Sequence, residues 1–186
     1  DVLSEQLDQL LGIGGRFQHA VLAMHGTVNV TATDSSLRIA GEVNVTIGNL
    51  TATNVSVVSR AGSIVNAADS SKNVTATNLR LAAAGAIGAS DRHLSIDVTK
   101  VSANSTGTGT AGIYLTEDDG VTVDTVSVSV DEYTGGVTAT VVTDGAQADL
   151  TTGNNGNIVL VATAGDITLN DGSDTDTFAI SAHGSG

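Results

Sequence analysis

The sequence predicts an all-β chain wound as a parallel β-helix. Three observations predict it: a short internal repeat, a core composition rich in β-branched residues, and apolar–polar alternation broken by Gly and Asn. The repeat comes first. Asn29-Val30-Thr31-Ala32-Thr33 recurs as Asn49-Leu50-Thr51-Ala52-Thr53 and as Asn73-Val74-Thr75-Ala76-Thr77, at spacings of 20 and 24 residues. Each copy is followed by two apolar residues one apart: Leu37 and Ile39, Val55 and Val57, Leu79 and Leu81. Each then carries Gly-x-Val or Gly-x-Ile: Gly41 with Val43, Gly62 with Ile64, Gly85 with Ile87. Three features recurring in one order mark a repeat architecture.

Composition narrows the kind of repeat. Hydrophobic residues are 40% of the chain, but aromatics are only 2% (Phe17, Phe178, Tyr114 and Tyr133), and Trp, Cys and Pro are absent. Val and Thr favour strands because their branched Cβ packs well on a pleated surface. A core without aromatic bulk must be thin and closely walled, as in a stacked solenoid. A β-sandwich, the alternative fold, ordinarily uses larger side chains. Alternation sends Val, Leu and Ile inward and Thr, Asn and Ser outward. Gly and Asn, which tolerate positive φ, are expected at the corners. A period of about 20 residues gives three short strands per coil, about eight coils and a rod about 40 Å long.

Residues 1–24 are set apart from the repeats of 25–186. Leu3, Leu7, Leu10 and Leu11 fall on one helical face, so a short amphipathic helix is expected over 2–11. Ser4 or Asp1 would cap it, and Gly12, Gly14 and Gly15 would end it. It would either cover the first coil or contact a neighbouring subunit. Beyond residue 90 the pattern loosens. Leu94 to Val101 and Val121 to Val130 alternate, and polar turns fall at 104–109, 116–120, 144–149 and 170–176. No linker divides the repeats. The chain reads as a mature protein or an excised fragment, with no signal peptide and no apolar run long enough to span a membrane.

Several of these phrases resemble the large exoproteins and filamentous-haemagglutinin-type adhesins of Gram-negative bacteria. They are Gly85-Ala86-Ile87-Gly88, Leu94 to Val101, Ala111 to Val123, Gly156-Asn157-Ile158 and Gly165-Asp166-Ile167-Thr168-Leu169. The resemblance spans residues 26–186. It implies a right-handed parallel β-helix, export across the envelope, and service as a stalk or adhesive shaft. Residues 1–25 fall outside it, and the family's amino-terminal secretion module is not apparent in them.

Charge excludes some functions. The net charge is −13, unevenly spread. Residues 1–100 hold all seven Lys and Arg against eight acids, whereas residues 101–186 hold twelve acids and no Lys or Arg. A nucleic-acid partner is therefore not expected, since phosphate binding needs clustered cations. Parallel β-helices also host pectin-degrading enzymes, whose sites group acids with Lys or Arg on one face. The acid-rich half offers no such group, and no nucleophile with a paired His and acid stands out. Arg38, Arg60 and Arg80 are spaced to stack on an outer face, either as an anion- or sugar-binding stripe or as a row bridged to Glu42, Asp69 or Asp97. His19, His25, His93 and His183 show no metal-ligand spacing.

Calcium is the metal these residues would take. Asp171, Asp174 and Asp176 alternate with small residues in one turn, and Glu117, Asp118 and Asp119 form a second acidic turn. Neither matches an EF-hand loop. No other cofactor is expected. Six Asn-x-Ser/Thr sequons, at Asn29, Asn44, Asn49, Asn54, Asn73 and Asn104, are candidate glycosylation sites on the outer wall. The expected function is a structural or adhesive segment of a secreted or cell-surface protein, self-assembling into a filament or stalk, without catalysis. The alternative is a carbohydrate- or calcium-binding solenoid module.

Overall fold

The computed structural model describes residues 20–21, 27–67, 71–109, 111–132, 138–153 and 155–183. The expected helix over 2–11, with His19 and His25, lies outside the described residues. The strands are β1 Ala20–Val21, β2 Thr27–Gly41, β3 Val45–Ser59, β4 Ile64–Asn66, β5 Val74–Ala83, β6 Leu94–Ser105, β7 Ile113–Glu117 and β8 Val121–Val123. They continue as β9 Val126–Glu132, β10 Thr140–Gln147, β11 Leu150–Thr152, β12 Ile158–Ala162, β13 Ile167–Leu169 and β14 Ile180–Ala182. Apart from β9 and β10, every pairing between them is parallel and joins one level of a coil to the next. The chain is a β-solenoid and not a sandwich.

The sequence repeat sets the register. Thr31 faces Thr51, which faces Thr75, so the spacings of 20 and 24 are each one level of the coil. Between β3 and β5 the offset is constant over the paired residues, whereas between β2 and β3 it shifts at Val28/Val30 and at Ala32/Ser36, local irregularities after which the apolar residues pair in register again. The core therefore consists of straight columns. One runs Leu37, Val55, Leu79, Val101, Val123, Leu169, and a second runs Ile39, Val57, Leu81, Ala103, Leu150, Ile180. A third runs Val30, Leu50, Val74, Ile96, and a fourth Val45, Ile64, Ile87, Ile113, Ile158. Most of these residues are fully buried in one continuous cluster. Each buried Val, Leu or Ile contributes about 1.5–3 kcal/mol of hydrophobic stabilisation.

Three expectations are corrected. Val43 is not a core residue: it is exposed, and Val45 takes the place in the column, because Gly41 pairs with Ser59 and not with Gly62, so the repeated glycines do not occupy equivalent places in the coil. The leading asparagines do not turn corners with positive φ, since the described non-Gly residues in that region are Asp34, Asp149 and Asn155. Their side chains instead stitch levels together. Asn49 N donates to Asn29 Oδ1 (2.8 Å), while buried Asn73 donates to Ile47 O and Gly48 O and accepts from Ser95 N (2.9 Å). Gly62 likewise has no positive φ, but a Cβ there would lie 2.5 Å from Asn44 N, so it is required by close approach of adjacent levels.

The third correction concerns the second half. The alternating run Val121 to Val130 is not one strand. It breaks at Asp124 and Thr125 into β8, which stays in the coil, and β9, which leaves it and pairs antiparallel with β10. Residues 144–147 of the expected polar turn belong to β10. This hairpin lies on the outer wall against β2, β3, β5 and β6, with Val126, Val128 and Val130 forming a small core of their own. A second excursion, residues 170–179, separates β13 from β14. These two excursions take residues out of the coil, so it has fewer turns than the eight expected from the mean period.

Candidate functional site

The acidic groups occupy two corners. The first is built where the hairpin returns to the coil. Asp149 precedes β11 with φ 64°, a left-handed conformation that Asp tolerates, and it is only 1% exposed. Gly172, in the excursion one level below, donates its N–H to Asp149 Oδ1 (3.1 Å). Ser173 N donates to Thr125 Oγ1 (2.6 Å), which fixes the excursion against the preceding level. This brings one carboxylate oxygen from each of Asp149, Asp171, Asp174 and Asp176 within 4.8 Å of one another. Asp149 Oδ2 is buried without a hydrogen-bond partner. Burial, reinforced by Asp174 and Asp176, pushes the Asp149 carboxyl above the ordinary carboxylate range. The sequence turn Asp171, Asp174, Asp176 is thus brought together, and Asp149 is the member that the sequence reading missed.

The second corner differs from its expected form. Glu117 is not in a solvated turn. It is the last inward residue of β7 and continues the Leu50, Val74, Ile96 column with a carboxylate. It is fully buried. Both its oxygens accept from Val98 N (3.1 and 3.2 Å), and Oε1 also accepts from Asp118 N (3.1 Å). Burial outweighs these bonds and raises its pKa to about 7. Asp97 and Asp119 lie close enough to Glu117 to share an ion with it, whereas Asp118 turns to Lys72. Lys72 Nζ donates to Asp97 (2.6 Å) and Asp118 (2.9 Å), and these bonds raise its pKa and hold it charged. An acid–lysine group therefore does meet on one face, but its members are bound to each other. A lysine held charged cannot act as a base.

The arginines separate. Arg38 and Arg80 share an outer column with Ser56 and Ser102, and Arg60 is elsewhere, paired with Glu42. The hairpin covers that column. Asp144 accepts from Arg38 Nε (2.8 Å) and Ser56 Oγ (2.7 Å), Gly145 O accepts from Arg80 Nε (3.1 Å), and Gln147 Nε2 donates to Leu81 O (2.9 Å). Burial would raise the Asp144 pKa, yet the bonds from Arg38 and Ser56 hold it below the ordinary value. Of the two readings of the arginine row, a sugar- or anion-binding stripe would find Arg38 and Arg80 covered by the chain's own hairpin, while of the expected bridging acids Glu42 does pair with Arg60, Asp97 pairs with Lys72, and Asp69 lies outside the described residues.

The sequons divide by exposure. Asn29, Asn44 and Asn49 are exposed, Asn54 and Asn104 are half-buried, and Asn73 is fully buried. Asn54 belongs to an amide ladder, accepting from Asn78 Nδ2 (2.8 Å) and donating to Ser36 Oγ (3.2 Å). Asn73, with its amide nitrogen bonded to two carbonyls, has no room for a glycan in the folded chain. His93 bonds Thr116 Oγ1 through Nδ1 (2.9 Å) and packs tilted against Tyr114, and His183 bonds Ser181. A shallow cavity of about 360 Å³ is lined by Asn44, Ser63, Asn66, Asp91 and Arg92, with no histidine among its lining residues. No described helix is long and apolar enough to cross a membrane. Comparison of the chain with protein-family models, with curated proteins and with solved structures finds no match.

Proposed function

We propose that this chain is a structural or adhesive shaft segment of a secreted or cell-surface protein, without catalysis, that lengthens by stacking coil on coil with a second copy of itself. The observation that carries the reading is the last level of the coil. Among the described residues, β12, β13 and β14 pair on one side only. The same level leaves Ile167, Leu169, Phe178 and Ile180 exposed, at 40%, 51%, 60% and 38%. Leu169 and Ile180 end the two main core columns, so a further level would bury them as the preceding levels bury Val123 and Leu150. An open sheet edge with an apolar face invites addition of another strand layer. Charge favours a head-to-tail order. The strongly acidic half of one copy would meet the nearly balanced half of the next, whereas joining two acidic halves would be repulsive. Export and adhesion rest on the resemblance of the repeat phrases to exoprotein adhesins.

Sedimentation over a wide concentration range tests the reading. Mass should rise with concentration for the parent chain. Leu169→Lys, at a position already half exposed, should keep the fold and remain monomeric. A single-chain mass at every concentration, or assembly unchanged by Leu169→Lys, would overturn it.

A further inference from the structure

We propose that Asp149, Asp171, Asp174 and Asp176 form a calcium site that clamps the excursion between β13 and β14 onto the coil. Two independent observations meet there. One is the convergence of four carboxylate oxygens within 4.8 Å of one another. Opposite ligands of a calcium ion, each about 2.4 Å from it, are about 4.8 Å apart, so the four oxygens fit within one coordination sphere. The other is Asp149 itself. A carboxylate in a residue 1% exposed, with Oδ2 lacking any hydrogen-bond partner, is costly to bury unless a cation or proton compensates it.

Among the described residues the surroundings supply no cation from the protein, and the neighbouring side chain that raises the Asp149 pKa by hydrogen bonding, Asp174, is itself an acid. Residues 101–186 contain no Lys or Arg, and the groups nearest Asp149 that affect its charge are Gly172 N–H and the acids Asp174 and Asp176. The second acidic corner is the internal contrast. There Lys72 bridges Asp97 and Asp118, and both Glu117 oxygens accept backbone N–H groups, so cationic and hydrogen-bonding compensation is built in. All-carboxylate donors favour a hard cation over zinc or copper. The three other acids are exposed, which leaves room for water to complete the six to eight ligands calcium takes, more easily than the near-ideal octahedron magnesium requires. Bound calcium would join Asp149, beside β11, to the excursion that leads into β14, and so fix the last level of the coil.

The test is calorimetric titration of the folded chain with calcium chloride, paired with thermal unfolding in calcium or in chelator. The variants are Asp149→Asn and Asp174→Asn. Asn retains the acceptor for Gly172 N–H and tolerates the left-handed backbone at 149. The expected result is one calcium per chain, a calcium-dependent rise in Tm, and at least tenfold weaker binding in either variant. Asp118→Asn, in the lysine-paired corner, should bind as the parent does. Removing a buried uncompensated charge should also make Asp149→Asn more stable than the parent in chelator and less stable in calcium. Should Asp149→Asn fail to fold, exposed Asp174→Asn carries the same prediction. Absence of binding at millimolar calcium, or equal affinity in the parent and Asp174→Asn, overturns the proposal.

Discussion

Replacing Glu117 with Gln should raise stability at neutral and alkaline pH and flatten its dependence on pH. Glu117 stands in a column otherwise built from Leu50, Val74 and Ile96, and its pKa is raised from 4.5 to about 7 by burial. Between these values the folded chain binds a proton that the unfolded chain has released. Stability contributed by the protonated acid is therefore fully present below about pH 4.5 and is lost as pH rises toward 7. That rise corresponds to roughly 3 kcal/mol, or about 6–12 °C in Tm for a chain of this length. Gln keeps the shape and an oxygen for Val98 N without the charge. Urea unfolding of both proteins in chelator, from pH 5 to 8, measures the difference directly. The two should be nearly equal at pH 5 and diverge as pH rises, with the variant the more stable at pH 8. Parallel curves would refute the assignment of a buried, reluctantly ionised carboxylate, because the other acids are common to both proteins.

Asp144→Ala should cost about 1.5–3 kcal/mol, since it removes the carboxylate that accepts from both Arg38 Nε and Ser56 Oγ, and hydrogen exchange across β9 and β10 should quicken far more than across β5 and β6. Leu81→Ala, within a fully buried column, should cost about 2–5 kcal/mol in denaturant titration. Gly62→Ala should cost about 1–3 kcal/mol by forcing a methyl against the backbone of the level above, a loss that a substitution acting through φ would not explain.

Much of the coil was legible because repetition and register are the same fact in a solenoid. The spacing from Thr31 to Thr51 and Thr75 is the strand pairing itself, and Leu37, Val55 and Leu79 name a core column directly. What lay hidden depends on choices that period-2 alternation does not encode. Val126, Val128 and Val130 alternate as well as Val121 and Val123 do, yet one set packs on the outer wall and the other inside. Nothing in alternation says which sheet a strand joins. Glu117 was readable and was misread: Ile113, Leu115 and Glu117 are two apart, so the same rule that buries the first two buries the third. Grouping it with Asp118 and Asp119 by composition concealed this. Asp149 was hidden more deeply. It meets Asp171, Asp174 and Asp176 because Leu150 pairs with Ile180, and that pairing spans an excursion whose length no repeat predicts. The asparagines were recognised as corner residues for the wrong reason, since their amides bind neighbouring levels instead of relaxing φ.

Electron cryomicroscopy of the concentrated chain tests the central claim most directly. Stacking of coil on coil predicts filaments with a strong axial spacing of about 4.8 Å and no break in that spacing where one copy meets the next. Isolated particles of single-chain length at every concentration, or chains joined side by side with the last level still open, would contradict it.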